Sequence, residues 1–220
     1  MSEHKNTIIE RFEKIKSNIA LAEPIKPAKI IAVSKTFSLE QIKPLIDYGH
    51  DHFGENKVQE AKIKWAEQKK ISKHLKLHMI GKLQRNKVKE AVQTFDYIHS
   101  LDNQKLADLC SRHQLTLKKK LKYFIQVNIA NEMQKSGVPV NEIDSFYNYC
   151  VKEINLDVIG LMIIPPNDNQ PEKYFKSLND LKNSLALKEL SMGMSEDYEI
   201  AVKYGATFVR IGSSIFGPRS

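Results

Sequence analysis

Eight short apolar segments recur along the chain, and their spacing constrains the fold more than any other feature. The first, residues 29–34, is a continuous apolar run rich in β-branched residues, as is typical of a strand covered on both faces of a parallel sheet. The segments cover residues 29–34, 52–55, 77–81, 96–100, 123–129, 157–162, 189–192 and 207–212. Their ends lie about 19 to 34 residues apart, which leaves room for one strand and one crossover helix. We therefore predict an α/β fold of one domain, residues 1–220, in the form of a single (β/α)8 TIM barrel.

Helical patterns separate the segments, and an additional N-terminal helix precedes the first strand. In the first twenty residues, apolar side chains recur at intervals of four, three and four, which predicts one buried stripe. They are Ile8, Phe12, Ile15 and Ile19. Ser38 and Gln41 have capping-box spacing, which predicts the start of a helix. Asn56 and Gln59 repeat this spacing after the second strand, and Pro171 suits a first helical position.

A doubly wound open sheet is the alternative architecture for alternating strands and helices. Such a sheet usually holds fewer strands and exposes a glycine-rich first turn. No GxGxxG pattern follows the first strand of this chain. The barrel is therefore favoured, and its site is expected at the carboxyl ends of the strands.

Composition excludes several classes of protein. The chain has 220 residues, 27% of them charged, and only two cysteines, Cys110 and Cys150, which lie far apart. This predicts buried free thiols, with neither a disulfide framework nor a metal site. The first twenty residues lack the apolar core of a signal peptide, and no run of about 18 apolar residues occurs. We expect a cytoplasmic protein without a membrane span.

The net charge of +8 comes from lysines dispersed along the chain. No aromatic stacking motif or other nucleic-acid recognition motif accompanies them. A solvated basic surface is therefore favoured over a nucleic-acid interface. The second possibility would show as strongly salt-dependent association.

Lys35 comes directly after the first apolar strand. A partly desolvated amine there would have a lowered pKa and would be a nucleophile for an aldehyde. A lysine that only extends from the barrel rim into solvent is an equal alternative from its position alone.

Two donor-rich turns follow the last two strands. Gly212 and Ser213 lie in RIGSSIFG, and Ser191 begins SMGMS. Turns after strands seven and eight commonly form the phosphate site of a barrel. An amine facing a phosphate site predicts an aldehyde that carries a phosphate, and pyridoxal 5′-phosphate is the commonest such cofactor. Arg210 would meet the phosphate, or it would donate to the pyridine nitrogen and leave the ring neutral.

The motifs AVSKT, FGENKVQE, HMIGKLQRNK, IHSLD, FIQVNI, LSMGMSEDYEIAVKYG and VRIGSSIFG occur in the order seen in the pyridoxal phosphate homeostasis protein family. The chain resembles this family from about residue 29 to residue 217. The resemblance implies a single barrel of the alanine racemase N-terminal type that holds pyridoxal phosphate without established turnover. It also implies a role in vitamin B6 supply and in amino and keto acid balance.

The resemblance also implies residue roles. Lys35 would hold the cofactor as a Schiff base, Arg210 would face the pyridine nitrogen, and phosphate would lie against Ser191, Gly212 and Ser213. The pocket would further include Asn56, Ser100 and Met192. The sequence departs from the family at Lys82, where proline is usual, and at Leu77, where tryptophan is frequent. For His78 and His99 a structural role is favoured over metal binding.

Two functions remain open from the sequence. The favoured one is a noncatalytic, monomeric binder that buffers pyridoxal phosphate or delivers it to dependent apoenzymes. The alternative is an amino acid racemase, which needs an acid and a base on opposite faces of the substrate α-carbon. In the racemases that this barrel resembles, a tyrosine on a separate β domain supplies the second group, and this chain ends soon after its last strand.

Overall fold

The computed structural model describes residues 2–130 and 136–218, and within them eight parallel strands close into a barrel. The barrel strands are β1 Lys29–Val33, β2 His52–Glu55, β3 Lys76–Met79, β4 Tyr97–Leu101, β5 Lys122–Asn128, β7 Asp157–Met162, β8 Glu189–Ser191 and β9 Phe208–Ile211. Pairing of β4 with β5, and of β1 with β9, completes the ring. This confirms the predicted (β/α)8 barrel. A two-residue strand, β6 Val138–Pro139, pairs with the end of β5 and was not predicted.

Helices surround the barrel in the order expected for crossover connections. They are α1 Ser2–Leu21, α2 Leu39–Asp47, α3 Val58–Ile71, α4 Val88–Thr94, α5 Gln104–Leu117, α6 Ile143–Asn148, α7 Pro171–Ser184, α8 Tyr198–Lys203 and α9 Ser213–Phe216. The capping box before α2 is confirmed, because Ser38 Oγ accepts from Gln41 N at 3.3 Å and Gln41 Oε1 accepts from Ser38 N at 2.8 Å. Pro171 is the first residue of α7, as predicted.

The second predicted capping box is wrong. Helix α3 begins one residue later than expected, with Lys57 as its N-cap and no side-chain cap hydrogen bond. Asn56 instead follows the last residue of β2, where Gly81 packs against its backbone. A Cβ added at Gly81 would lie 2.4 Å from Asn56 O. Because of this tertiary contact, Asn56 does not occupy the N-cap position of α3.

The additional N-terminal helix packs with its predicted apolar stripe inward, since all four stripe residues are buried. Asn18 on the same helix donates to Tyr198 Oη and to Glu199 Oε1, both at 3.0 Å. These bonds tie α1 to α8. No described helix is long and apolar enough to cross a membrane.

The protein has two cores, one inside the barrel and one between the barrel and its helices. The inner apolar cluster is small and consists of Ile31, Tyr97, Phe124, Met162 and Phe208. Polar side chains fill much of the remaining interior. They are His52, His78, His99, Ser191 and Arg210, all buried. A barrel interior is usually filled by branched apolar residues, so this polar content points towards the site above it.

Candidate functional site

A cavity of about 400 Å³ opens at the carboxyl ends of the barrel strands. Its wall combines one amine, one guanidinium, hydroxyl groups and an apolar side. The lining residues are Val33, Lys35, Asn56, Ile80, Ile164, Pro165, Pro166, Asn167, Met194, Ser195, Glu196, Asp197, Arg210, Gly212 and Ser213. They come from the ends of several different strands, as in barrel enzymes and binders generally.

Lys35 lies two residues beyond β1 and is half-buried at the cavity wall. Val33 lines the same cavity, as the alternation of an extended strand requires. The next residue, Thr36, has φ 70°, a left-handed conformation that is unfavourable for a β-branched residue. The chain therefore turns sharply away from the barrel directly after the lysine.

Ser34, on the opposite side of the strand from Lys35, is held by a buried ion pair. Glu55 Oε1 accepts from Ser34 Oγ at 2.7 Å and from Trp65 Nε1 at 3.0 Å. Lys64 Nζ donates to the same carboxylate oxygen at 2.9 Å and to Ser34 O at 2.7 Å. Both the side chain and the carbonyl group of Ser34 are thus held, which restrains the backbone that carries Lys35.

Arg210 on β9 forms the charged floor of the cavity. Its Nη1 donates to Ser191 O at 2.8 Å and to Ser191 Oγ at 2.9 Å, and its Nη2 donates to Ile163 O at 2.8 Å. Burial lowers the pKa of the guanidinium to about 10, so it remains a cation at neutral pH. These three acceptors set the plane of the guanidinium.

The turns after β8 and β9 meet at the cavity wall beside Lys35, because β9 pairs with β1 and β8 pairs with β9. Ser213 Oγ lies 3.4 Å from Ser195 Oγ. In the first of these turns Asp197 Oδ1 accepts from Met194 N at 2.6 Å. Burial raises the pKa of Asp197, so this carboxyl group accepts protons more readily than an exposed one.

A second depression of about 430 Å³ adjoins the cavity and shares four lining residues with it. The shared residues are Asn56, Ile80, Ile164 and Pro166. Polar side chains of Gln126, Asn128 and Lys82 line the other side. Lys82 is exposed there. The mouth of the barrel is therefore wider than the cavity beside Lys35.

A model of the alanine racemase N-terminal domain family matches residues 11–220. A pyridoxal phosphate homeostasis protein of Aquifex aeolicus is 37% identical over 226 residues, which cover 99% of this chain and 97% of the relative. One from Pasteurella multocida is 37% identical over 230 residues, covering 97% and 98%. The chain belongs to the pyridoxal phosphate homeostasis protein family. This confirms the resemblance found in its motifs.

Several solved structures share the fold of this chain. PipY of Synechococcus elongatus has TM-scores of 0.86 without and 0.84 with bound pyridoxal phosphate, at 33% identity, covering 96% of this chain and 100% of PipY. An alanine racemase of Bartonella henselae has a TM-score of 0.75 at 13% identity, over 97% of this chain and 60% of the racemase. That second likeness is one of fold alone.

Five of the eight site residues expected for this family line one cavity. They are Lys35, Asn56, Arg210, Gly212 and Ser213. The other three lie outside the lining. Ser191 is buried beneath Arg210, Met192 belongs to the core between barrel and helices, and the buried Ser100 Oγ has no hydrogen-bond partner among the described residues.

The structure adds residues that sequence patterns missed. Ser195 ends the donor-rich turn SMGMS but is not among the expected cofactor-binding residues, and it lines the cavity with its Oγ 3.4 Å from Ser213 Oγ. Its position two residues beyond Gly193 was the available signal, because Gly193 has φ 88° and turns the chain there. The loop after β7, with Ile164, Pro165 and Asn167, carries no motif that could have marked it.

Proposed function

We propose that this protein binds pyridoxal 5′-phosphate in the cavity beside Lys35 and contributes to the supply of that cofactor in the cytoplasm. The observation that carries the proposal is the joint placement of Lys35, Arg210 and Ser213 on one cavity wall. The relatives named pyridoxal phosphate homeostasis proteins, and PipY with pyridoxal phosphate bound, support the same ligand. The two cysteines, both free and buried, suit a reducing compartment.

The residues present fit this cofactor chemically. Its aldehyde needs an amine, its phosphate needs hydroxyl and backbone N–H donors, and its ring needs a flat apolar contact. The cavity offers Lys35, the turns at Ser195 and Ser213, and the side chains of Val33 and Ile164. A volume of about 400 Å³ lies in the usual range for a small-molecule site.

Each residue then has a definite task. Lys35 Nζ would add to the aldehyde carbon with loss of one water, which leaves the cofactor bound through a C=N bond. Gly212 and Ser213 would hold the phosphate by backbone N–H and hydroxyl donors. Arg210 would donate to the pyridine nitrogen, and a guanidinium has no proton to give up there. When bound, pyridoxal phosphate supplies an electrophilic carbon for amines.

The same geometry favours storage and exchange over catalysis. The described lining residues include no tyrosine, the group that supplies the second acid or base in the racemases that this barrel resembles, although they include the carboxyl groups of Glu196 and Asp197. The adjoining depression leaves the cavity open to solvent and to other amines. An open site suits release to acceptors such as dependent apoenzymes better than guarded catalysis.

Absorbance of the purified, cofactor-loaded protein, borohydride reduction and peptide mapping test the proposal. We expect the cofactor mass on the peptide that carries Lys35, and no such adduct in Lys35→Ala. Lys57→Ala is the control, because Lys57 is exposed and lies outside the cavity. An adduct confined to another lysine would refute the assignment.

The noncatalytic role is tested by deuterium exchange at the α-carbon of amino acids. We expect no exchange at enzymic rates. Exchange above about 1 per second would place the protein among racemase-like enzymes instead.

A further inference from the structure

Three histidines on neighbouring strands form a hydrogen-bonded row across the barrel interior. His52 Nδ1 lies 2.8 Å from His78 Nε2, and His78 Nδ1 lies 2.9 Å from His99 Nε2. His99 Nδ1 then lies 2.8 Å from Ser191 Oγ. We call His52, His78 and His99 the histidine chain. None of the three lines the cavity, so the function proposed above does not explain them.

The direction of the hydrogen bonds is determined at the end next to Arg210. A guanidinium only donates, so Ser191 Oγ accepts from Arg210 Nη1 at 2.9 Å. The acceptor within reach of the Ser191 hydroxyl proton is His99 Nδ1. Ser191 Oγ has a second lone pair that could accept from His99, but its own proton would then have no acceptor among the described residues, so we infer that His99 carries its proton on Nε2.

The positions of the ring protons on His78 and His52 follow from the position of the proton on His99. His99 Nε2–H donates to His78 Nδ1, which places the proton of His78 on Nε2. His78 Nε2–H donates to His52 Nδ1, and the proton of His52 is again on Nε2. All three rings are thus expected as the same tautomer, with every bond pointing the same way.

Charges at the two ends favour this direction. The Arg210 cation lies where hydrogen bonds are donated into the row, and the Asp51 carboxylate lies at the other end, 3.8 Å from His52 Nε2. Bond dipoles aligned between a cation and an anion reinforce one another in a buried environment. Reversal of the row would aim N–H dipoles at the guanidinium.

The direction holds only while the rings are neutral, since an imidazolium donates from both nitrogens. Burial lowers the pKa of His78 and His99 well below the ordinary value, and the Arg210 cation adds to this at His99. Burial also lowers the pKa of His52. Charged groups around His52 act in both directions. Asp51 and Asp96 favour its protonation, whereas Lys29 and Lys76 oppose it.

Aromatic packing holds the rings in place. His78 stacks on Tyr97 at 4.2 Å between ring centroids, and His99 stacks on Phe124 at 4.3 Å. Apolar residues of similar shape would fill this space without any hydrogen-bond requirement. The polar row is therefore informative, because each buried polar group must find a partner and here each ring does.

We propose that His52, His78 and His99 are positioning residues that hold the Ser191 hydroxyl as an acceptor for Arg210 and so orient the guanidinium towards the cofactor. The proposal rests on the proposed function only for the identity of the ligand. The histidine chain connects the floor of the cavity to the opposite end of the barrel through side chains alone.

Nitrogen-15 NMR of the cofactor-free protein at pH 7 tests the direction of the hydrogen bonds in the histidine chain. We expect His52, His78 and His99 all as neutral rings protonated on Nε2. Exposed His74, which lies outside the barrel interior, is an internal reference for the assignment of the rings. A proton on Nδ1 of any of the three, or an imidazolium, would overturn the proposal, whether or not the protein binds pyridoxal phosphate.

His99→Phe tests the positioning role, because phenylalanine preserves the stacking on Phe124 while removing the acceptor for Ser191. We expect the dissociation constant for pyridoxal phosphate to rise about 5- to 30-fold, the effect of one unsatisfied buried hydrogen bond. We also expect His78 to become a mixture of tautomers, which a purely packing role would not produce. Ser191→Ala, which removes only the hydroxyl group, should also raise the dissociation constant for pyridoxal phosphate. It should also leave His99 as a mixture of tautomers.

His50→Phe is the matched control, since His50 is partly buried beside the row and bonds only to the His52 carbonyl group among the described residues, at 2.8 Å. Its binding of pyridoxal phosphate should equal that of the wild type. Unchanged binding and unchanged tautomers in both His99→Phe and Ser191→Ala would refute the positioning role. A wild type that binds no pyridoxal phosphate would refute the proposed function. The tautomers of His52, His78 and His99 would still show whether the hydrogen bonds of the histidine chain run in the proposed direction.

Discussion

Lys64 Nζ lies 2.9 Å from Glu55 Oε1, in an ion pair whose carboxylate is completely buried. This pair holds Ser34, the residue before Lys35, through its hydroxyl and its carbonyl group. The helix α3 that follows the second strand thereby supports the end of the first strand. The position of Lys35 thus depends on a contact between two different crossover units.

Lys64→Met should strongly destabilise the fold, because it leaves the Glu55 carboxylate buried without a counter-charge. Loss of one partner of a buried pair costs about 3 kcal/mol or more in the free energy of unfolding. Urea denaturation measures this loss. The exposed pair Lys43 and Asp47 is the control, and Lys43→Met should change stability by less than about 0.5 kcal/mol. Equal effects of the two variants would contradict a structural role for the buried pair.

Gly81→Ala should distort the cavity wall, since the added Cβ would lie 2.4 Å from Asn56 O and 2.8 Å from Asn56 Cα. Both are backbone atoms and must shift. Gly212→Ala is the milder comparison, because its nearest contact would be Val33 O at 3.3 Å. Thermal unfolding should therefore show a much lower melting temperature for Gly81→Ala than for Gly212→Ala. The reverse order would show that the backbone at Asn56 yields easily.

Acid should destabilise the protein through its buried histidines. Burial lowers the pKa of His50 to about 4, and that of His78 and His99 well below the ordinary value. The unfolded chain takes up protons near pH 6.5 that the folded chain refuses, so stability is full above that pH and is lost as pH falls towards 4. The free energy of unfolding, measured from pH 7 to pH 4, should fall less steeply in His50→Phe. An identical slope would show that His50 does not contribute.

Arg210→Lys should weaken both the barrel and the cofactor site, although it conserves the positive charge. An ammonium group lacks the planar fork that reaches Ser191 O, Ser191 Oγ and Ile163 O together. One or more of these acceptors would remain unpaired, at a cost of about 1–3 kcal/mol in the free energy of unfolding. Calorimetry of the cofactor-free variant measures this effect. Wild-type stability would show that charge alone suffices at this position.

Local patterns predicted the elements because each pattern reports a nearby constraint. Apolar runs located the barrel strands within a few residues, and a capping box and Pro171 marked the starts of two helices. The capping box predicted at Asn56 and Gln59, which the structure does not contain, shows the limit of such patterns. Its spacing was correct, yet the packing of Gly81 against Asn56 set the backbone there.

Strand ends also located most of the site, since parallel strands in a barrel bring their carboxyl ends to one rim. That reasoning placed Lys35, Arg210 and Ser213 together. It could not distinguish residues that face the interior from those that face the helices. Ser191 and Met192 therefore seemed equivalent in sequence, although one lies beneath Arg210 and the other packs outside the barrel.

The amino-acid sequence by itself determined the succession of strands and helices, the family and the residue types at the barrel rim, because these depend on neighbours along the chain. Tertiary structure alone decided which side chains meet across strands. His52, His78 and His99 belong to three neighbouring strands whose pairing brings them into contact, and closure of the barrel then brings His99 to Ser191 on β8. Hydrogen bonds need atoms within about 3 Å, and only the folded chain provides that proximity for residues so far apart in sequence.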